Sequence, residues 1–385
     1  MTTPLAIPDE MIGREDLPDD VKQWIGLVQY EEAGEFPVER GYIWTSAASV
    51  ENGNPLFWDD DVAAAITDGP IAMPTMLSLW FRPHHWAPGR TKQALPLQIH
   101  FDLKDRFKLP EAVMSDNTII FHDPVRPGDR LRTRQILRSV STPKTTKLGS
   151  GRFWVIEVEY LNQDDQLVGT ESYTGFGYRR ESDPADATPS PTSPTSPTSP
   201  TSATSATSTI TAGVDEGADA PTTAAVPSFA NRLSSSVTVG AELPPLFYDV
   251  TATTIVLGAL AARDWRPMHH DYDFAVNRNG TQDIFLNTPN QAAWFERYLT
   301  DWSGPKGRLG RMTFRMKGSV FPGDTMVFAG QVTAVDTDDA GCAWATVEVV
   351  LTVKGNVKTT STTRIALPTT TDDNPWVRRG DQWQP

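Results

Sequence analysis

The chain has 385 residues, a length that suits two domains better than one. It carries 34 Lys and Arg against 48 Asp and Glu. The resulting formal charge of −14 argues against a general binder of nucleic acid or anionic membrane, since both require a basic surface. No apolar run reaches the ~20 residues of a membrane span, and the N-terminal segment resembles no secretory leader. Because the single cysteine, Cys342, cannot form an internal disulfide, we expect a cytoplasmic protein.

In chain order, the first informative stretch is NGNPLFWDDD, residues 52–61. A helical stretch beginning near Pro74 follows, and then a Pro- and aromatic-rich loop, WFRPHHWAPGR. The tripeptide PGD at residues 127–129 predicts a turn, and the patterns FWVIEVEYLNQ and LVGTESYTGFGYR predict strands after it. Residues 1–180 therefore form a predicted domain with one helix and several antiparallel strands.

The composition changes sharply after Arg180, where Pro, Ser, Thr and Ala begin to dominate and aromatic residues disappear. Such a segment buries too little apolar surface to offset its ordering entropy. We predict a disordered linker over residues 181–235. Its alternative interpretation is a docking or modification tract.

The second half, residues 236–385, repeats the order of the first. A helical stretch, TATTIVLGALAARD, ends at Asp264, and the stretch DWRPMHHDYD follows. The next helix, TPNQAAWFERYLTDW, has Thr288 as a possible N-cap and Pro289 at its first position. A second PGD, at residues 322–324, again precedes alternating strands. The sequence therefore predicts an internal duplication with an α+β fold, in which an antiparallel sheet wraps one helix in each half.

The two repeated stretches keep the same turn residues but differ in their ionisable groups. Asp264 and His269 in the second copy stand where the first has Asn52 and Phe57. A carboxylate and an imidazole that share one water form a general acid/base pair. The adjacent His270 is a competitor, but the equivalence with Phe57 favours His269. The alternative is a structural corner with a capping Asp and a surface His.

Other catalytic patterns are missing from the sequence. It contains no Gly-x-Ser-x-Gly elbow, no phosphate-binding GxxxxGK[ST] loop and no dinucleotide fingerprint. Its six histidines form no His-Glu-x-x-His pattern, and one cysteine supplies no thiolate cluster. We therefore predict no metal and no cofactor.

The motif Asp-x-x-Pro-Met-His, residues 264–269, resembles the Asp-x-Asn-Pro-x-His motif of MaoC-like, hydratase-2-type enoyl-CoA hydratases. This sequence has Arg266 where the family usually has Asn. The resemblance implies two hotdog folds, each a long central helix wrapped by an antiparallel sheet, joined as a double hotdog. Longer stretches, such as ARDWRPMHHDYDFAV in the second half and FHDPVRPGDRLRTRQILRSV in the first, resemble the catalytic and non-catalytic subunits of actinobacterial steroid side-chain enoyl-CoA hydratases.

The resemblance implies a reaction and roles for several residues. Asp264 and His269 would activate a water that attacks the β-carbon of a 2-enoyl-CoA. Backbone N–H groups at the start of the second-half helix would stabilise the thioester oxyanion, and this region contains Asn287, Thr288 and Asn290. Candidates for binding the CoA phosphates are Arg266, Arg308, Arg311, Arg315 and Lys317. Candidates for lining an apolar steroid pocket in the non-catalytic half are Met76, Trp80, Phe81 and Trp86.

Several alternatives stay open at this point. The substrate could be a fatty or dicarboxylic enoyl-CoA, or the protein could bind acyl-CoA without catalysis. Each basic candidate could lie on a solvated strand face, and the aromatic loop could pack on its own half. A homodimer of double hotdogs is expected. Contact with a downstream aldolase stays open, because the family's non-catalytic subunit carries a zinc-binding C-terminal extension that this sequence does not show.

Overall fold

The structure is a computed structural model that describes residues 16–91, 97–180 and 229–385. The helices of the first half are α1 (Asp19–Trp24), α2 (Arg40–Ser49), α3 (Pro55–Trp58), α4 (Asp60–Thr67) and α5 (Gln98–Arg106), with a 3-10 helix at Pro74–Phe81 between the last two. Its strands are β1 (Val28–Ala33), β2 (Glu111–Phe121), β3 (Arg132–Val140), β4 (Lys144–Thr146), β5 (Gly149–Leu161) and β6 (Leu167–Arg179).

The second half contains two α-helices, α6 (Ala252–Ala261) and α7 (Thr288–Ser303). Its strands are β7 (Glu242–Asp249), β8 (Arg308–Met316), β9 (Thr325–Thr337), β10 (Ala343–Val353) and β11 (Asn356–Leu367). Short 3-10 helices lie at Ser234–Ser236, Pro267–His269, Pro375–Val377 and Gly380–Gln382, and a π-helical turn at Phe274–Arg278.

The strands form one 11-stranded antiparallel sheet in which the two halves have the same topology. The order is β1-β3-β5-β6-β2-β8-β11-β10-β9-β7, and β4 pairs with β5 outside this path. Read outward from the centre, each half contributes its strands in the corresponding order. The halves meet where β2 pairs with β8, and there the hydroxyls of Thr118 and Thr313 lie 2.8 Å apart. The predicted duplication and α+β class are therefore confirmed.

The two PGD turns make the same backbone contacts in both halves. Gly128 donates its N–H to the carbonyl of Val38, and Gly323 donates to Val250, at 2.8 and 2.7 Å. Both glycines have positive φ, of 93° and 84°, a conformation that glycine adopts without steric cost. Each turn thus ties the start of a long strand to the residue that precedes the first helix of the repeated unit.

The repeated stretches also share a backbone conformation. Each follows a residue with left-handed φ, Glu51 at 51° and Arg263 at 49°, which is uncommon for a residue other than glycine. The next N–H, of Asn52 or Asp264, bonds in both copies to a carbonyl five residues earlier at 2.8 Å. The same sharp exit from a helix is therefore built twice.

The central helices of the two halves differ in length. Helix α7 has 16 residues and is buried along most of its length, whereas its counterpart Pro74–Phe81 is a 3-10 helix of 8 residues. The two contact each other through Glu296 of α7, whose carboxylate accepts from the N–H and hydroxyl of Thr75 at 2.9 and 2.6 Å. The cap of α7 is Asn287 rather than the predicted Thr288, because the Asn287 side chain accepts from the N–H of Asn290.

The end of the predicted linker belongs to the folded second half. Residues 181–228 lie outside the described residues, so the disorder predicted there stays a prediction. From residue 229 the chain is placed, and Arg232 and Ser234 donate their N–H groups to Ser303 and Pro368. The predicted boundary at 235 is thus wrong by several residues, because a few polar residues suffice to dock on existing carbonyls. No helix in the described ranges is long and apolar enough to cross a membrane.

Candidate active site

Asp264 and His269 meet at a buried point beyond the end of α6. Asp264 follows the left-handed Arg263, and Arg266 is extended as expected before a proline. A 3-10 turn beginning at Pro267 then carries His269 back toward the helix end. The two side chains are 3% and 2% exposed, and His269 Nε2 lies 3.6 Å from Asp264 Oδ2. His270 is exposed, so the structure favours the predicted histidine.

The other ring nitrogen of His269 fixes its tautomer. Nδ1 lies 2.8 Å from the carbonyl oxygen of Phe285, which can only accept a hydrogen bond, so Nδ1 carries the proton. Burial lowers the pKa of His269 to about 4, although the Asp264 charge opposes this shift. At neutral pH the imidazole is therefore uncharged, with its lone pair on Nε2. Within the described residues Nε2 has no hydrogen-bond partner.

Two arginines and one amide surround the Asp264 carboxylate. Arg266 binds it with two nitrogens, Nε to Oδ1 at 3.0 Å and Nη2 to Oδ2 at 3.2 Å. Arg82 approaches Oδ2 at 3.3 Å, and Asn287 donates to the same oxygen at 3.3 Å. Burial alone raises the pKa of Asp264, but the charges of Arg82 and Arg266 outweigh it and hold the pKa well below its ordinary value. Asp264 is therefore ionised.

Arg82 was missed by sequence reasoning, and no signal in the sequence identifies it. It belongs to the first half and ends the 3-10 helix Pro74–Phe81. The aromatic loop that follows packs on the turn that carries Asp264 and His269 in the other half. The carbonyls of Arg82 and Pro83 accept from Arg263 Nε at 3.0 Å and from Trp265 Nε1 at 2.8 Å. The alternative that this loop packs only on its own half is therefore wrong.

At the start of α7, the three oxyanion candidates have different contacts. The N–H of Asn290 donates to the Asn287 side chain at 3.1 Å, so the prediction that Asn290 offers a free N–H is wrong. Asn287 instead links the helix cap to Asp264 through its amide. Thr288 lies in the first turn, where N–H groups lack intrahelical acceptors, and its hydroxyl contacts Met316. Thr288 and the N–H of Asn287 stay predictions.

The candidates for CoA binding divide into buried and exposed side chains. Arg308 is 1% exposed, donates to the carbonyls of Pro375, Arg378 and His122, and lies over the Trp383 ring at 3.6 Å. Its predicted role in CoA binding is therefore wrong, because the guanidinium is buried and both of its Nη atoms donate to carbonyls of the fold.

The remaining candidates stay predictions. Arg311 donates to the carbonyl of Pro385 at 3.0 Å, and Arg315 is exposed and paired with Asp116. Lys317 is exposed, just beyond the end of β8. Arg266 is bound to Asp264, yet its side chain is 45% exposed and faces solvent in part.

The four predicted pocket residues do not form one open wall. Met76 and Trp80 are buried in the hydrophobic core at 5% and 1% exposure, and Phe81 packs against Tyr160 with ring centroids 5.4 Å apart. Trp86 is 73% exposed in the loop beyond them. The prediction that these four residues line one pocket is therefore wrong, because residue type alone does not show which aromatic side chains the first half buries in its own core.

The geometry can perform general acid/base chemistry. An ionised carboxylate and a neutral imidazole lone pair face one another at 3.6 Å, and both are hydrogen-bond acceptors. A water that lies beside the pair can donate one O–H to each of these acceptors. In the described ranges, no three His, Cys, Asp or Glu side chains are grouped so that they could hold a metal ion.

Comparison with known proteins identifies a family model and two named relatives. Residues 23–171 match the family model described as "FAS1-like, dehydratase domain region". The chain is 42% identical over 98 residues to the 3-oxo-4,17-pregnadiene-20-carboxyl-CoA hydratase beta subunit of Mycobacterium tuberculosis, a match that covers 75% of that protein and 26% of this chain. It is 24% identical over 168 residues to a probable enoyl-CoA hydratase alpha subunit of Thermomonospora curvata, covering 43% of this chain and about half, 53%, of that protein.

Solved structures share the fold. A MaoC-like dehydratase matches with a TM-score of 0.57 at 15% identity, over 89% of this chain and 98% of its own. A Mycobacterium tuberculosis protein described as having a double hotdog fold matches with a TM-score of 0.52 at 15% identity, over 87% of this chain and 96% of its own. With the 42% identity to a hydratase subunit, these matches establish that the chain belongs to the MaoC-like, double-hotdog family of enoyl-CoA hydratases.

Proposed function

We propose that this enzyme adds water across the 2,3 double bond of a steroid enoyl-CoA during degradation of a steroid side chain. One observation carries the assignment of the reacting groups: an ionised Asp264 and a neutral His269 are buried together, with Oδ2 and Nε2 3.6 Å apart. The Nδ1–H bond to Phe285 directs the basic nitrogen of the imidazole at that gap.

The reaction follows from these protonation states. A water donates one hydrogen to Asp264 and the other to His269 Nε2. Its oxygen attacks the β-carbon as Nε2 takes the proton, and the electron pair of the double bond moves toward the thioester oxygen. Asp264 stays ionised and stabilises the imidazolium. Return of the proton from Nε2 to the α-carbon completes the addition and restores the neutral histidine. These steps need no cofactor beyond the CoA of the substrate.

The start of α7 supports the negative charge that develops on the thioester oxygen. The helix begins beside the catalytic pair, because its cap Asn287 contacts Asp264 at 3.3 Å. Its first-turn N–H groups and its dipole favour an anion there. We assign the role of oxyanion donor to the N–H of Thr288. Pro289 offers none, and that of Asn290 is already bound to the cap.

We propose that two exposed cations at the end of β8, Arg315 and Lys317, bind the CoA phosphates. The Thr288 hydroxyl contacts Met316, the last residue of β8. The exposed Lys317 follows, and its N–H donates to the carbonyl of Lys358 at 2.7 Å. Arg315 projects from the exposed face of the same strand. This is a local basic group on an otherwise acidic protein, as phosphate binding requires.

The steroid substrate rests on relatives and on the shape of the first half. The relative with 42% identity is named for a pregnadiene carboxyl-CoA, and the two relatives are named as beta and alpha subunits, whose equivalents would here share one chain. The central helix of the first half is half as long as α7, and we propose that a bulky ring system binds where a full helix would lie, once Met76 and Trp80 move aside. A homodimer of double hotdogs stays a prediction.

A second candidate substrate is an ordinary fatty or dicarboxylic enoyl-CoA. It is favoured by the tight packing of Met76 and Trp80, which a ring system entering the first half would have to displace. Binding of acyl-CoA without catalysis is opposed by the intact, correctly protonated pair of Asp264 and His269.

The test compares turnover of a steroid enoyl-CoA with that of crotonyl-CoA by loss of enoyl thioester absorbance. Wild type should prefer the steroid substrate, and Asp264→Asn and His269→Ala should each lower kcat by roughly 10²–10⁴-fold. His270→Ala is the matched control, since His270 is adjacent, exposed and outside the pair. Preference for crotonyl-CoA would exclude the steroid assignment, and full activity of Asp264→Asn would exclude the mechanism.

A further inference from the structure

We propose that Arg82, supplied by the half that lacks the acid/base pair, is a positioning residue for Asp264, so that the active site is completed across the two halves. This inference rests on the proposed hydratase function. Arg82 and Asp264 are 182 residues apart in the sequence, and Arg82 Nη1 approaches Asp264 Oδ2 at 3.3 Å.

The oxygen that Arg82 contacts is the one that faces the histidine. Oδ2 of Asp264 lies 3.3 Å from Arg82 and 3.6 Å from His269 Nε2. Arg266 binds with its Nε on Oδ1, the opposite oxygen, and only its Nη2 reaches Oδ2. The two arginines therefore hold the carboxylate from different sides, and Arg82 fixes the side on which water is activated.

Arg82 is itself held rigidly against the catalytic turn. Its carbonyl accepts from Arg263 Nε at 3.0 Å, and the carbonyl of Pro83 accepts from Trp265 Nε1 at 2.8 Å. These donors are the residues immediately before and after Asp264. The guanidinium of Arg263 also lies over the Phe36 ring at 4.0 Å, which anchors it to the first half. The first half therefore binds the residues on both sides of the Asp264 carboxylate through hydrogen bonds.

Charge explains why a second arginine is needed. The charged or titratable groups that face Asp264 are Arg82, Arg266 and His269, and the uncharged amide of Asn287 completes the set. Burial favours the protonated carboxyl, and the charges of Arg82 and Arg266 are the main groups that oppose it. Arg266 is 45% exposed, whereas Arg82 is 21% exposed. Water screens an exposed charge more strongly, so the more buried arginine counts for more.

Removal of Arg82 should therefore change the rate and its pH dependence rather than substrate binding. For Arg82→Gln we expect kcat to fall by roughly 10–100-fold, the loss typical of a displaced catalytic group, with KM changed less than about threefold. The acid limb of kcat/KM should move to higher pH, because loss of the Arg82 charge raises the pKa of His269 as well as that of Asp264. Arg82→Lys, which keeps the charge, should recover part of kcat and most of the pH profile.

The experiment measures pH profiles of kcat and KM on the full chain for wild type, Arg82→Gln, Arg82→Lys, Asp264→Asn and Arg134→Gln. Arg134→Gln is the control, because it removes a first-half arginine that pairs with Glu31. Thermal melts check folding, and if Arg82→Gln does not fold, Arg82→Lys should still show a smaller shift of the acid limb in the same direction.

The outcomes separate this inference from the function on which it rests. An unchanged acid limb in both Arg82 variants, with Asp264→Asn inactive, overturns the positioning role alone. A loss confined to KM, or no recovery by lysine, also overturns it, because either result indicates a binding or purely structural role. An active Asp264→Asn or an inactive wild type overturns the proposed function, and the role of Arg82 with it.

Discussion

Glu296 provides a test of how the two halves are held together. Its side chain is fully buried in α7, and Oε2 accepts both the N–H and the hydroxyl of Thr75 from the 3-10 helix of the other half. Among the described residues, Oε1 has no hydrogen-bond partner. Burial raises the pKa of Glu296 to about 7, although the two hydrogen bonds from Thr75 oppose the shift. The contact between the central helices therefore titrates near neutral pH.

The sign follows from linkage. The pKa of Glu296 is higher in the folded state, about 7, than its ordinary value of 4.5, so folding favours the protonated acid. This favourable contribution is complete below about pH 4.5 and is lost as the pH rises through about 7. The full difference corresponds to about 3 kcal/mol by linkage. The variant Glu296→Gln cannot ionise at this position, so it should not lose this stability as the pH rises from about 4.5 to 7.

Urea unfolding at pH 5 and pH 8 measures the effect. From pH 5 to pH 8, the free energy of unfolding of Glu296→Gln should rise by about 1–3 kcal/mol relative to that of wild type. This difference does not depend on the absolute stability of the variant at either pH. The glutamine can still accept both hydrogen bonds from Thr75, and any cost of its buried amide is the same at both pH values. Glu32→Gln, on an exposed position of β1, is the control. An equal pH dependence of wild type and Glu296→Gln would refute the argument.

Two further predictions concern the active site. Burial lowers the pKa of His269 to about 4, and the neutral imidazole is the base. We therefore expect kcat/KM to be flat from pH 7 to about 5 and to fall about tenfold per pH unit below about 4. A fall centred near pH 6.5 would contradict this prediction. A Cβ at Gly258 would lie 2.6 Å from Asn290 Oδ1, so Gly258→Ala should cost about 1–3 kcal/mol by overpacking despite its higher helix propensity. Gly41→Ala, whose Cβ meets nothing within 4 Å in α2, should instead be stabilising in the same thermal melts.

The duplication and the pairing of Asp264 with His269 could be predicted because both are local patterns. The turns at residues 127–129 and 322–324 need only a tripeptide, and a comparison of the two stretches separates His269 from His270. The structure agrees at this level, since the predicted histidine is buried and its neighbour is exposed. Backbone sterics act over a few residues, so such features are visible in sequence.

Contacts between the halves could not be predicted in this way. Arg82 reaches Asp264 across 182 residues, and nothing near it in sequence indicates that contact. Arg308 shows the opposite error. Alternation along β8 identifies which face a side chain takes, but not that the C-terminal segment covers this face and engages Arg308 through Trp383 and the carbonyl of Pro375. The role of a charged side chain depends on whether a segment distant in sequence buries it, and the periodicity of a strand does not indicate that burial.

The first copy of the turn shows that its backbone does not depend on the catalytic groups. The N–H of Phe57 bonds to Asn54 at 3.1 Å, as that of His269 bonds to Arg266 at 3.2 Å. Phe57 is buried at 5%, so an apolar ring fills the position of the imidazole. Because no carboxylate has to be kept ionised there, the first copy needs no arginines around it. The half without the pair instead directs Arg82 at Asp264 of the other copy.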